Sequence, residues 1–506
     1  MAVNLPQAFV ESTRAALGDK ADAVVEAIRA GESVTAVRAN PFKISADDLR
    51  RRFAAAGEDV PWCADAFYLN ERPVFSLDPL IHAGAYYVQD PSAMFVGSLA
   101  EVLIRQSEAS LKVLDLCAAP GGKSTAVASA LRPSDLLVSN EVIGSRASVL
   151  AENMVKWGCP NTVVTNNDPK DFARLAASFD IILTDVPCSG EGMFRKDLGA
   201  VAEWSPENVD LCAARQRRIV ADVWPSLREG GWLIYSTCTF NSSENDDNVE
   251  WICSELGAEP VALLRAMSAP GQGEHRTPVP CAELLSAFSQ QDEAPSRKTS
   301  SRREQARRAD WPVAKLVCSE AESCEFIATR CGLQFAPGIT RGEGQYVAVL
   351  RKTSSAKPAS FKPAKPLRKA PCNWLMDGFD SFSVETSAGT LIKAYPQALV
   401  QDIRLFEERL KVLRSGVAVA TVKGRDLIPQ ADLALSQAFR QDAFQQVELA
   451  KDQALQYLRC EALQLPDAPK GFLTVTCEGL PLGFVKNLGN RANNLFPQAW
   501  RLRMNC

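Results

Sequence analysis

The sequence predicts an α/β fold of the Rossmann-like kind, a parallel sheet with helices on both faces, flanked by smaller units at either end. Three observations predict it. Short β-branched runs alternate with polar or amphipathic stretches between Leu111 and Lys352, a glycine loop joins the first run to a helix, and basic, proline-rich sequence separates this region from a second mixed unit.

The runs follow one another as KVLDLC from Lys112, DLLVSNE from Asp135, TVVTNND from Thr162, FDIILTD from Phe179 and GWLIYSTC from Gly231. Each is short and apolar, as strands buried on both faces of a parallel sheet should be. The stretch from Ala269 to Val313 is polar and irregular and reads as a surface insertion. Ahead of the sheet, residues 1–79 form a leader with an amphipathic segment, ALGDKADAVVEAIRA, and a basic cluster at Arg50, Arg51 and Arg52. The expected division is therefore a leader at 1–79, a Rossmann-like domain at 80–352, a linker at 353–373 and a mixed α/β unit at 374–506.

A chain of 506 residues is too long for one ordinary core, and a hydrophobic fraction of 46% suffices for several. Apolar runs of about 18 residues are absent, and the start MAVNLPQAFVESTR lacks a basic head and apolar core. These features predict a soluble, cytoplasmic protein without a membrane partner. The 15 cysteines are scattered, never spaced Cys-x-x-Cys, and stand beside only His82 and His275, so no metal site is expected. Most should be buried as small hydrophobes. Scarce histidine also removes the usual imidazole acid and base.

A net charge of −4 argues against a polyanionic partner, but the charge is unevenly spread. Ser296–Ala309 reads SRKTSSRREQARRA, and Arg351–Ala370 holds seven basic residues and no acid. These runs are either solvated tethers or holders of RNA phosphates without sequence preference.

The loop Cys117, Ala118, Ala119, Pro120, Gly121, Gly122 and Lys123 follows the first strand, where glycine lets the backbone approach a ligand. Glu141 ends the next strand, placed to bind ribose hydroxyls, and Asp168 ends the third, placed to accept from an adenine amino group. The loop is neither G-x-G-x-x-G nor G-x-x-x-x-G-K-S, so a phosphate-bearing cofactor fits poorly. S-adenosylmethionine, an adenosine without phosphate, fits better.

Cys188 in TDVPCSGEGMFRKD and Cys238 in YSTCTFNSSEN end adjacent strands on that same edge. Carbon 5 of cytosine becomes nucleophilic when a thiolate adds to carbon 6, and the adduct must then lose a proton before the thiolate can leave. Two thiols suit a nucleophile and a helper, without saying which is which. Asp185 is placed to hold the cytosine N3 or amino edge.

The blocks DLCAAPGGKS, DVPCSGEGMFRKD, CAARQRRIV and LIYSTCTFNSSEN resemble those of the bacterial Nop/Sun-type RNA (cytosine-5)-methyltransferases, most closely the RsmF-type 16S ribosomal RNA methyltransferases. The tail LPLGFVKNLGNRANNLFP is similar to their C-terminal PUA-like RNA-binding unit, and AVRANPFKIS resembles their N-terminal RNA-binding portion. The resemblance implies a class I methyltransferase domain, Cys238 as nucleophile, Cys188 as helper in release, and the Cys117–Lys123 loop with Glu141, Asp168 and Asp185 around the cofactor. It also implies a monomer acting on ribosomal RNA or the small subunit, with a tRNA methyltransferase or a catalytically silent assembly factor as alternatives. A DNA cytosine methyltransferase would instead use the cysteine of the Pro-Cys pair. This chain departs from the family pattern at GEGQYVAVL, where Gln345 replaces an aromatic residue, and in its long basic insertion. Arg195 and Lys196 follow the Cys188 loop and suit either RNA phosphates or a plain surface role; Phe194 suits packing or base stacking.

Overall fold

The computed structural model describes residues 3–261, 326–387 and 389–504; the expected insertion at 269–313 lies outside the described residues. The N-terminal unit carries β1 (Thr35–Ala39), β2 (Ala56–Val60), β3 (Cys63–Leu69) and β4 (Tyr86–Val88) in the order β2-β3-β1-β4. Its sheet therefore runs past Pro79, the edge suggested by composition. Tyr86 and Tyr87 pair with Ala39 and Arg38, so the strand after that proline belongs with the leader.

The central sheet contains the five expected runs as β5 (Lys112–Asp115), β6 (Leu136–Asn140), β7 (Thr162–Thr165), β8 (Phe179–Asp185) and β9 (Leu227–Thr237). They are parallel and ordered β7-β6-β5-β8-β9. Successive residues feed opposite cores. Val113, Ile181, Leu183 and Ile234 join one apolar cluster, and Leu114, Ile182, Leu233 and Tyr235 join the other. This period of two, apolar on both sides, is why the runs read as continuous hydrophobic sequence.

Beyond β9 come the short β10 (Ala258–Pro260), β11 (Ile327–Ala328) and β12 (Leu333–Phe335), then β13 (Gln345–Lys352), which lies antiparallel against β9. The strand order reverses between β5 and β8. Ligands in open α/β sheets bind outside the carboxyl ends of the strands at such a switch point.

The opposite edge is closed by Val412–Ser415, antiparallel to β7. Left uncovered, β7 would present unpaired backbone groups. Buried Arg414 secures the join, reaching Thr162 Oγ1 at 2.8 Å and Asp432 at 3.1 Å. The expected single C-terminal unit is two sheets, one spanning strands from Arg368–Lys369 to Asp426–Pro429 and one spanning Gln446–Glu448 to Ala492–Asn494. The last of these shares an apolar core with the N-terminal unit, in which Phe67, Leu80 and Tyr86 cluster with Leu455, Tyr457 and Leu473. No helix among the described residues is long and apolar enough to cross a membrane.

Candidate active site

The loop after β5 turns through Gly121, whose φ of 114° suits glycine and whose missing Cβ would stand 3.3 Å from Leu150 Cδ1. The helix Gly122–Ala130 follows. The loop is held by its carbonyls: Arg146 donates to Ala119 O at 2.9 Å, Asn153 to Pro120 O at 2.8 Å, and Arg38 from β1 to Gly122 O at 3.1 Å. Arg38 is buried, donates also to Thr125 Oγ1 and Gln89, and lies 4.8 Å over the Trp157 ring. The N-terminal unit thereby braces the loop, a link that nothing in AVRANPFKIS announces.

Cys117, Ala119, Glu141, Asp168, Asp185, Cys188 and Cys238 line one cavity of about 470 Å³ at the carboxyl ends of β5 to β9. That size is ordinary for a small-molecule site. Ala118, Pro120, Gly121, Gly122 and Lys123 belong to the loop but are not among the lining residues, so only part of the expected segment faces the cavity.

Glu141 is almost wholly buried; its Oε1 accepts from Ile143 N at 2.9 Å, and Arg146 stands 3.5 Å from its Oε2. Asp168 lies past the end of β7 and accepts from Lys170 N at 3.1 Å, starting a short helical turn. Val142 and Ile143, both exposed, offer apolar side chains between these acids. Asp115 at the foot of the loop is fully buried, with Oδ2 accepting from Ser124 at 2.6 Å and Oδ1 without a partner. Burial pushes its carboxyl up to about 7, against the opposing pulls of the Ser124 hydrogen bond and Lys123. Two acids and an apolar pair at strand ends fit the ribose, adenine and sulfonium of S-adenosylmethionine, and the lining Arg146 and Arg218 stand beside those acids at 3.5 and 3.8 Å.

The two cysteines meet: Cys188 Sγ and Cys238 Sγ are 3.0 Å apart, both half-buried. The Cys188 thiol is held well above its ordinary pKa, first by its hydrogen bond to Cys238 and then by burial. Both effects favour the protonated form of Cys188. Cys117, on the same edge, is a different case; burial and the nearby Asp115 raise its thiol.

Asp185 lies beside this pair. Its Oδ2 receives Lys123 Nζ at 2.9 Å, and its Oδ1 receives Ser236 Oγ at 2.9 Å and Gln345 Nε2 at 3.3 Å. Burial lowers the Lys123 ammonium but Asp185 more than offsets it, so the lysine stays charged. Lys123 thus serves Asp185, and Gln345, where the chain departs from the family pattern, is a hydrogen-bond partner in the site.

The sequence alone did not disclose the frame that holds the cysteine loops together. Glu191 accepts from Thr239 Oγ1 at 2.5 Å, Phe240 N at 2.6 Å and Trp204 Nε1 at 2.9 Å. Glu244 accepts from Ser189 N at 3.0 Å and Gln216 Nε2 at 2.7 Å. Gly192 N donates to Cys238 O at 2.7 Å, and a Cβ there would meet that same oxygen at 2.7 Å. Both acids stand inside the cysteine-bearing motifs, yet a buried acid and a solvated one are written alike.

Arg195 is not free for RNA. It pairs with Glu343 at 2.7 Å in a nearly dry setting and donates to Glu32 O and Gly342 O. Lys196 lies 3.3 Å from Glu343. Phe194 is fully buried, 4.9 Å from Phe9, so it packs rather than stacks on a base.

The domain family described as 16S rRNA methyltransferase RsmB/F matches residues 101–282. The N-terminal domain of 16S rRNA methyltransferase RsmF matches residues 5–91, and the methyltransferase RsmF PUA domain matches residues 444–502. Ribosomal RNA small subunit methyltransferase F of Klebsiella pneumoniae is 30% identical, over 98% of this chain and 96% of that one. The protein of the same name from Pectobacterium carotovorum is 39% identical over 44% of this chain and 46% of its own length. Among solved structures, that of PH0851 is similar in fold, with a TM-score of 0.52 at 16% identity, covering 69% of this chain and 66% of that one. Identity sustained along nearly the full length of both chains, with matches to all three domain families, decides descent: this chain belongs to the RsmB/F family of 16S rRNA methyltransferases and is an S-adenosylmethionine-dependent enzyme.

Proposed function

We propose that the enzyme methylates carbon 5 of cytosine in RNA, with 16S rRNA of the small subunit as substrate, through a covalent adduct on Cys238. The observation that carries this reading is the 3.0 Å approach of two thiols at the cofactor cavity, with Asp185 alongside. The contact with Cys238 and burial hold the Cys188 thiol above its ordinary pKa, which disfavours Cys188 as the attacking thiolate and supports Cys238 in that role.

Glu141, Asp168 and the Cys117–Lys123 loop would hold S-adenosylmethionine, which would supply an electrophilic methyl group. Cys238 Sγ adds to carbon 6 of the cytosine, and the displaced π electrons make carbon 5 the nucleophile toward that methyl. Asp185 accepts from the amino edge; Lys123, Ser236 and Gln345 occupy three of its acceptor positions and leave capacity on Oδ2. After transfer, carbon 5 still carries a proton. Once Cys238 is bonded to carbon, Cys188 releases its own proton to solvent and the resulting thiolate takes the carbon 5 proton, and the sulfur–carbon 6 bond breaks with its electrons returning to Cys238. Carbon 6 is shielded in a stacked helix, so the target base must be flipped or unpaired.

RNA containing 5-fluorocytosine should trap the wild-type enzyme as a covalent complex, because the fluorine cannot leave as a proton does. Trapping should vanish in Cys238→Ala and persist in Cys188→Ala. The reverse result would make Cys188 the nucleophile and overturn this reading.

A further inference from the structure

We propose that residues 357–368 form a second RNA-binding surface, a strip of phosphate-binding cations anchored on the side of the catalytic domain away from the cysteines. The inference rests on RNA being the substrate and adds where a long RNA is held outside the active site.

The segment is not a loose tether. From Phe361 onward its burial repeats every three residues: Phe361, Ala364, Leu367 and Ala370 are half-buried, and the pairs between them are exposed. Three residues per turn is the repeat of a polyproline-type extended chain, and Pro358, Pro363 and Pro366 favour that conformation. Phe361 and Leu367 pack against the apolar cluster on one face of the central sheet. Ala359 N donates to Ala176 O at 3.0 Å, Lys365 N donates to Glu408 at 3.2 Å, and Arg409 lies 5.3 Å over the Phe361 ring.

With the apolar residues turned inward, Lys357, Lys362, Lys365 and Arg368 are exposed, and none has an ion pair among the described residues. In a three-residue repeat, Lys362, Lys365 and Arg368 fall in one row at intervals of roughly 9 Å. Two other basic clusters visible in the sequence are neutralised in the fold, and the Ser296–Ala309 run lies outside the described residues. Arg50, Arg51 and Arg52 pair with Asp59, Asp48 and Asp78, and Arg195 and Lys196 share Glu343. In a chain of net charge −4, this row is an ordered concentration of positive charge without ion pairs among the described residues. A polyanion backbone is the partner such a row fits.

Topology sets its distance from the chemistry. Ala176 precedes the start of β8, whereas Asp185 ends it, so the strip lies about one strand length, roughly 20 Å, from the cavity. RNA must be long and folded to touch both.

The test uses the full chain carrying Lys357→Gln, Lys362→Gln, Lys365→Gln and Arg368→Gln together, with a control bearing Arg at the three lysine positions. Binding to intact 16S rRNA should weaken at least tenfold. The slope of log affinity against log salt should fall by roughly 0.7 for each phosphate that the strip no longer neutralises. Methylation of a short unpaired cytosine oligonucleotide should keep its kcat and KM, and the arginine control should bind as the wild type does. An unchanged affinity and salt slope would reduce the strip to a solvated linker. Equal losses on the short oligonucleotide would show a damaged domain in place of an exosite and would also overturn the proposal. A wild-type protein that bound no RNA would instead overturn the substrate reading itself.

Discussion

Cys188 Sγ stands 3.0 Å from Cys238 Sγ although the residues are fifty positions apart, because β8 and β9 are parallel neighbours whose loops turn back toward each other. Glu191 and Glu244 stitch those loops together, so the contact is built by the frame around it.

The pair predicts unequal lesions. Cys238→Ala should reduce methylation to background. Cys188→Ala should slow turnover by about 10²–10⁴-fold, the usual share of a proton-transfer group, while covalent enzyme–RNA complex accumulates on ordinary RNA. Gel-shifted complex under denaturing conditions is the readout; a Cys188→Ala enzyme that turned over normally would remove Cys188 from the mechanism.

Gln345 should act through Asp185. Its Nε2 also holds Thr237 O at 2.9 Å, one residue before Cys238. Gln345→Leu should lower kcat about tenfold, equivalent to one hydrogen bond of about 1.4 kcal/mol, while leaving KM for S-adenosylmethionine unchanged. A rise in that KM with unchanged kcat would place Gln345 at the cofactor instead.

Glu141 and Asp168 should differ at the cofactor. Glu141 is almost wholly buried, and its carboxylate loses little by turning from solvent to a ligand. Glu141→Ala should weaken S-adenosylmethionine binding by about 10–100-fold, in line with about 1.5–3 kcal/mol for hydrogen bonds to a charged group. Asp168→Ala should cost less because its side chain is 33% exposed against 4% for Glu141, so water competes for its contact with the cofactor. Titration calorimetry on the two variants decides this; equal losses would refute the ranking.

Asp115 should make stability depend on pH. Its folded pKa of about 7 lies above the value of about 4 for an unfolded aspartate, so the folded chain binds an extra proton between those limits. The resulting stabilisation is complete below about pH 4 and is lost as pH rises through about 7. Asp115→Asn keeps an acceptor for Ser124 but carries no charge. The fall in melting temperature between about pH 5 and about pH 8 should therefore be smaller in the variant than in the wild type; parallel curves would show that Asp115 does not titrate in this range.

Much of the catalytic edge was legible because strand ends carry their own signals. Apolar runs located β5 to β9, and the residues just past them, Glu141, Asp168, Asp185, Cys188 and Cys238, had to share one edge once the sheet was parallel. The unit boundaries were less legible. Tyr86–Val88 joins the leader's sheet, and Val412–Ser415, from far beyond the linker, closes the catalytic sheet at β7. Such pairings depend on which edge lacks a partner, a property of the assembled sheet.

The sequence by itself determined the α/β alternation, the glycine loop, and the two strand-end thiols, since period, turn chemistry and reactive groups are local. Only the tertiary structure decided which charges are free. Arg195 became the buried partner of Glu343, Glu191 and Glu244 became hidden braces, Lys123 went to Asp185, and the lysines at 357, 362 and 365 stayed unpaired on an ordered strip. The reason is physical: an ionised side chain is written the same whether water or another side chain satisfies it, and burial against a partner from a distant segment makes that choice.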